Sequence, residues 1–126
     1  MLTILCNILS TNIIYAQAPN TWTAKASISG GGRNGAFSFG NNVKGYIGGG
    51  FTNNNVWEYS TVTNTWSQKA SYPGAQAIWC SNFSIGDKGY VGLGGYTTVA
   101  SDFWEYDMNA NTWTSKAAFP GGAKGR

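Results

Sequence analysis

Three near-copies of one phrase punctuate the chain: NTWTAKAS from Asn20, NTWSQKAS from Asn64 and NTWTSKAA from Asn111. Their tryptophans, Trp22, Trp66 and Trp113, are 44 and 47 residues apart. Other phrases keep the same step. GYIGGG at Gly45 returns as GYVGLGG at Gly89 after 44 residues, and VWEYS at Val56 returns as FWEYD at Phe103 after 47. The three extra residues fall between Gly94 and Trp104, where the pattern reads as a loop. Fixed order, with length changes confined to loops, marks a repeated structural unit rather than a single irregular core.

Each unit holds four strand-like pieces. In the first these are GAFSFG, KGYIGGG, VWEYS and NTWSQKA; in the second, IWCSNFSIG, KGYVGLG, FWEYD and NTWTSKA. Period-two alternation places Trp57 and Tyr59 on one face with Glu58 opposite, and Trp104 and Tyr106 likewise against Glu105. Asn64 and Asn111 stand five residues after a tyrosine, and asparagine tolerates the left-handed conformation that closes a hairpin. The glycine-dense second strands allow rings or backbone to approach where a Cβ would collide. The expected fold class is all-β. Composition agrees: 18 glycines, 15% aromatic and only 10% charged residues suit short strands and turns, not a disordered chain.

Four short antiparallel strands per unit of about 45 residues describe one blade of a β-propeller. In its repeat positions the chain resembles the kelch-repeat family. The resemblance covers residues 20–126. It rests on the glycine pairs Gly49-Gly50 and Gly94-Gly95, then Tyr59 and Tyr106, then Trp66 and Trp113 seven residues on. It implies a ring of blades in which each first strand lines a channel and each fourth lies outside. On that pattern residues 20–27 are an orphan outer strand, two complete blades span about 33–71 and about 76–118, and 119–126 open a further blade. The expected architecture is an incomplete ring, with the remaining blades supplied by a longer chain or by other copies.

The formal charge of +3 does not describe a nucleic-acid surface, because five of the six lysines sit at repeat positions and are spread out instead of clustered. The first 18 residues are apolar, uncharged and outside the repeat. They read as a secretory signal ending in Ala16-Gln17-Ala18, with a buried first strand as the alternative. Asn7, Ser10 and Asn12 interrupt that stretch, so no stable membrane span is expected. Export implies a secreted or cell-surface location. It also leaves Cys80 as the sole cysteine of the processed chain, read as a small buried side chain.

Signals for chemistry are sparse. The chain has no histidine and only five carboxylates, and Glu58 and Glu105 are repeat-equivalent, as scaffold positions would be. Asp102 and Asp107 match no calcium-loop spacing, and no GK[ST] follows the glycine runs. No metal, cofactor or catalytic residue is expected within the chain. Some kelch-type propellers are enzymes, among them galactose oxidase and the sialic acid mutarotases. The resemblance therefore leaves open a carbohydrate-active parent with its catalytic residues elsewhere, and equally a structural spacer in an adhesin. The preferred expectation is a recognition scaffold for a protein or carbohydrate ligand. Its candidate residues lie on two loops that differ between the units: Phe51, Asn53 and Asn54 in FTNNN, and Tyr96 and Thr97 in YTTVAS.

Overall fold

The computed structural model describes residues 20–51 and 53–124; the expected signal segment and Cys6 lie outside them. Eight strands form two four-stranded antiparallel sheets, each in sequential order. The first contains β1 (Phe37–Gly40), β2 (Lys44–Gly48), β3 (Val56–Ser60) and β4 (Thr65–Lys69). The second contains β5 (Ser81–Ile85), β6 (Lys88–Gly92), β7 (Phe103–Asp107) and β8 (Thr112–Lys116). The protein is all-β, with no helix among the described residues. Accordingly, no helix there is long and apolar enough to cross a membrane.

Register explains which residues meet. Phe39 pairs with Tyr46, Tyr46 with Glu58, and Gly48 with Val56, so these side chains share one face of the first sheet. That face packs on the face of the second sheet carrying Val91, Tyr106 and Trp113. Phe37, Tyr72, Val56, Val91 and Tyr106 are fully buried there. Aromatic edges dominate the packing: Trp113 lies 4.9 Å from Tyr106 and 5.1 Å from Tyr72 between ring centroids. The sheets approach closely because Gly89 has no side chain. A Cβ there would fall 2.4 Å from Cδ2 of Phe39.

Each repeated phrase opens on a corner. Asn64 and Asn111 have φ of 54° and 56°, the left-handed turn that asparagine tolerates. The Oδ1 of Asn111 accepts from the Tyr106 hydroxyl at 2.8 Å and from the Ala70 amide at 2.9 Å. The indole of Trp113 then donates to the Ala70 carbonyl at 3.0 Å. The first sheet repeats this motif: Tyr59 at 2.8 Å and the Ala26 amide at 2.9 Å on Asn64, and the Trp66 indole on the Ala26 carbonyl at 2.8 Å. Thus the five-residue Tyr–Asn spacing builds a clasp that grips one peptide unit of the preceding phrase.

Two expected strand boundaries change. Residues 20–27 pair with no strand among the described residues; they are held at the Ala26 clasp, and Trp22 is 100% exposed. The second unit's first strand starts at Ser81, not Ile78. Trp79 turns the chain at φ 52°, and its amide donates instead to Gly35 O at 2.8 Å.

The buried acids set an alkaline limit on stability. Burial pushes Cys80 from 9.0 up to about 12 and Tyr106 from 10.0 up to about 12. Tyr46 and Tyr72 are raised further by burial, with the Glu58 hydrogen bond adding at Tyr46. Because the folded values are raised, this stabilisation is complete below the unfolded pKa values and is lost as pH rises through the folded ones. The melting temperature should fall progressively above about pH 9. Tyrosinate absorbance from these residues should appear together with loss of circular dichroism; ionisation well before unfolding would contradict their burial.

Candidate functional site

The β2–β3 loop, the β6–β7 loop and the segments leading into β1 and β5 converge at one end of the paired sheets. Gly49 starts the first of these loops at φ 65°; a Cβ there would lie 2.0 Å from the Ala77 carbonyl oxygen. Gly50 donates to Ala77 O at 2.8 Å and Phe51 to Asn34 O at 3.1 Å, which pins the loop to its neighbours. In the second loop Gly95 donates to Ile78 O at 2.9 Å. By the 44-residue step Gly49 corresponds to Leu93 and Gly50 to Gly94, so the two glycine pairs are offset by one position. Leu93 keeps the left-handed conformation, at φ 61°, without being glycine.

These constraints bring Phe51 and Tyr96 together. Their rings stand 6.0 Å apart, edge to face, although the residues belong to different units. Phe51 is 63% and Tyr96 58% exposed. Trp79 completes the group, with its ring 5.0 Å from Tyr96 at 70°. Its backbone is left-handed where the first unit has Gly35, at φ 70°. An aromatic residue in that conformation costs on the order of 1–2 kcal/mol. Three aromatic side chains therefore form a ledge on a pinned loop end.

The other candidates divide. Asn53 faces inward: its Oδ1 accepts from Arg33 Nη1 at 2.7 Å, and the same nitrogen reaches Gly49 O at 2.7 Å and Asn55 O at 3.1 Å. Burial lowers the pKa of this guanidinium from its ordinary value. Asn54 clamps the backbone of Tyr72, donating from Nδ2 to its carbonyl at 3.0 Å while its own carbonyl accepts the Tyr72 amide at 2.9 Å. Each asparagine thus has one amide atom bonded within the fold, Asn53 through Oδ1 and Asn54 through Nδ2. Thr97 is exposed beside Tyr96; Thr52 lies outside the described residues.

Trp79 was legible only as a strand residue, since the bend that turns it outward is a tertiary feature. Asp102, which matches no calcium-loop spacing, braces the same loop end: its Oδ2 accepts the Trp104 indole at 2.8 Å and the Ala75 amide at 3.0 Å. Cys80 is buried as a free thiol with Sγ 3.2 Å from Gln76 O. Among the described residues no three His, Cys, Asp or Glu side chains gather as metal ligands would.

At the opposite end a cavity of about 390 Å³ opens between the β1–β2 and β5–β6 turns, lined by Asn41, Asn42, Ser84 and Asp87. Asn41 Nδ2 donates to Asp87 Oδ1 at 2.7 Å across it. No aromatic side chain lines it.

No family model matches the sequence, and no curated protein sequence is similar to it. The fold does have counterparts among solved structures. One, a structure of YjhT, superimposes with a TM-score of 0.70 at 20% identity, over 82% of this chain and 43% of that one. The chain thus spans less than half the length of that protein's chain.

Proposed function

We propose that these sheets are kelch-type β-propeller blades of an exported, non-catalytic recognition module, and that its ligand is a glycan bound at the Phe51–Tyr96–Trp79 ledge. The observation that carries this reading is the exposure of Phe51 and Tyr96 on loops whose backbone is hydrogen-bonded in place. Large aromatic faces left in water on a rigid mount supply contact area at small entropic cost. Support for the blade assignment comes from the sequential order of both sheets and from the repeated Tyr–Asn–Trp clasp. The apolar segment 1–18 supports export.

Arg33 turns Nη1 into its own loop and its Nε and Nη2 are buried, so the ledge offers ring faces with the charge of that residue directed inward. That chemistry suits a neutral sugar ring. A glycan array should show a signal that Phe51→Ala or Tyr96→Ala reduces at least tenfold, about the effect of losing 1.4 kcal/mol. Asn54→Ala should instead lower the melting temperature. Absence of any glycan signal, or equal binding by both ledge variants, would sink the sugar reading.

A further inference from the structure

The two sheets bury one face each against the other, and their outer faces carry the two halves of that same contact, unjoined. In the joined pair, Phe39 projects onto Gly89, where a Cβ would meet its ring at 2.4 Å. The repeat counterpart of Phe39 is Phe83, which stacks on Tyr90 with its outer side 48% exposed. The counterpart of Gly89 is Gly45, and a Cβ built there would meet nothing within 4 Å. One outer face therefore presents a ring without a glycine, and the other a glycine without a ring.

The clasps repeat this asymmetry. Ala26 and Ala70 are gripped by Asn64–Trp66 and Asn111–Trp113. The third member of the series is Ala117, exposed, with neither amide nor carbonyl bonded to any described residue. Ala117 lines an apolar groove of about 420 Å³ together with Phe83, Phe103 and Phe119. On the joined side, Glu58 is sealed in with Tyr46. Its counterpart Glu105, bonded to Tyr90 and Lys116, is only partly buried.

We propose that the outer face of the second sheet docks the outer face of the first sheet of a second copy of this chain, head to tail. Phe83 seats on the partner copy's glycine notch, and Ala117 enters its Asn–Trp clasp in place of the Ala26 segment. The two faces lie on opposite sides of the paired sheets, so these two sheets cannot mate them with each other. Such a heterologous contact propagates into a ring if its rotation closes and into a filament if it does not. Displacing Ala26 breaks its two bonds to Asn64 and Trp66, and the residues from Trp22 to Lys25 that precede it are exposed.

Sedimentation velocity of the full chain, from roughly 1 µM to 1 mM, should show concentration-dependent association. Gly45→Val fills the notch in open space on a strand, and Phe83→Glu puts a charge on an already exposed position. Both should abolish association; Gly45→Val should leave the melting temperature of the dilute chain unchanged, while Phe83→Glu should lower it modestly through the lost contacts with Tyr90 and Phe103. Ala117→Pro, which removes an amide unpaired in the single molecule, should weaken association about fivefold. A chain that stays monomeric throughout would overturn the proposal and assign this face to a different partner. Association indifferent to Gly45→Val and Phe83→Glu would overturn it equally.

Discussion

Trp113→Ala is expected to unfold most of the chain, whereas the same change at Trp22 leaves stability untouched. The two residues occupy one position of a repeated phrase, yet their surroundings differ entirely. Trp113 packs edge-on against Phe37, Phe39 and Tyr72 and is tilted against Tyr106. Truncating such a side chain costs about 3–5 kcal/mol through lost contacts and the cavity left behind. Leaving the Ala70 carbonyl without its indole donor adds about 1 kcal/mol. Against a net stability of about 5–15 kcal/mol for a typical domain, that loss is most of the margin. Trp22 is fully exposed and contributes no packing. Trp66 is half-buried, touching Tyr59 at 5.1 Å and gripping Ala26, so Trp66→Ala should fall between the two. Urea midpoints of the three variants should therefore rank Trp22, Trp66, Trp113 in order of increasing loss. Equal losses would mean that the phrase acts locally and that inter-sheet packing is not its purpose.

The second large effect separates Glu58 from its repeat counterpart Glu105. Glu58 is only 8% exposed. It accepts the Tyr46 hydroxyl at 2.5 Å and pairs with Lys44 at 3.2 Å and Lys69 at 3.3 Å. Burial alone would raise its pKa, but Tyr46 and the two lysines outweigh that and hold it below 4.5. Glu58→Leu should cost about 2–3 kcal/mol, because the buried Tyr46 hydroxyl loses its acceptor. The two lysines reach water and limit the damage. Glu105 makes the analogous bonds to Tyr90 and Lys116, both at 2.9 Å, on the open face. Solvent competes for each of them, so Glu105→Leu should leave the melting temperature unchanged. Acid titration offers a parallel check. With a depressed folded pKa, the Glu58 contribution is present above about pH 4.5 and is lost as pH falls through the folded value. Glu58→Leu should accordingly flatten the acid limb of the stability profile. A steep limb that persists in the variant would place the titrating group elsewhere, with Asp107 next, held at about 2 by Lys88 and the Ala110 and Asn109 amides.

Much of this was legible along the chain because it is local. Strand alternation placed Trp57 and Tyr59 opposite Glu58, and the asparagines announced the left-handed turns found at Asn64 and Asn111. The loop aromatics Phe51 and Tyr96 also stood out, since they interrupt the repeat. What escaped were roles that depend on a second segment. Asn53 and Asn54 stand out in the sequence as loop amides, but their bonds to Arg33 and Tyr72, distant along the chain, could not be read from it. Trp79 looked like a strand residue until the chain bent at it. Residues 20–27 read as a strand by analogy with their copies, but pairing needs a neighbour that their sequence cannot provide.

Sequence alone determined the periodic unit: eight strands, their order within each sheet, the hairpin corners and the alternation of faces. These follow from side-chain period and turn chemistry within a few residues, which repeat wherever the phrase repeats. Tertiary structure decided which copy of each position is buried, clasped or left open, so that Glu58 and Phe39 are buried and Trp113 packs against the core, while Trp22 and Phe83 are exposed and Glu105 is only partly buried. The physical reason is that desolvation and packing belong to a residue's neighbours across the sheet interface, and identical phrases acquire different neighbours.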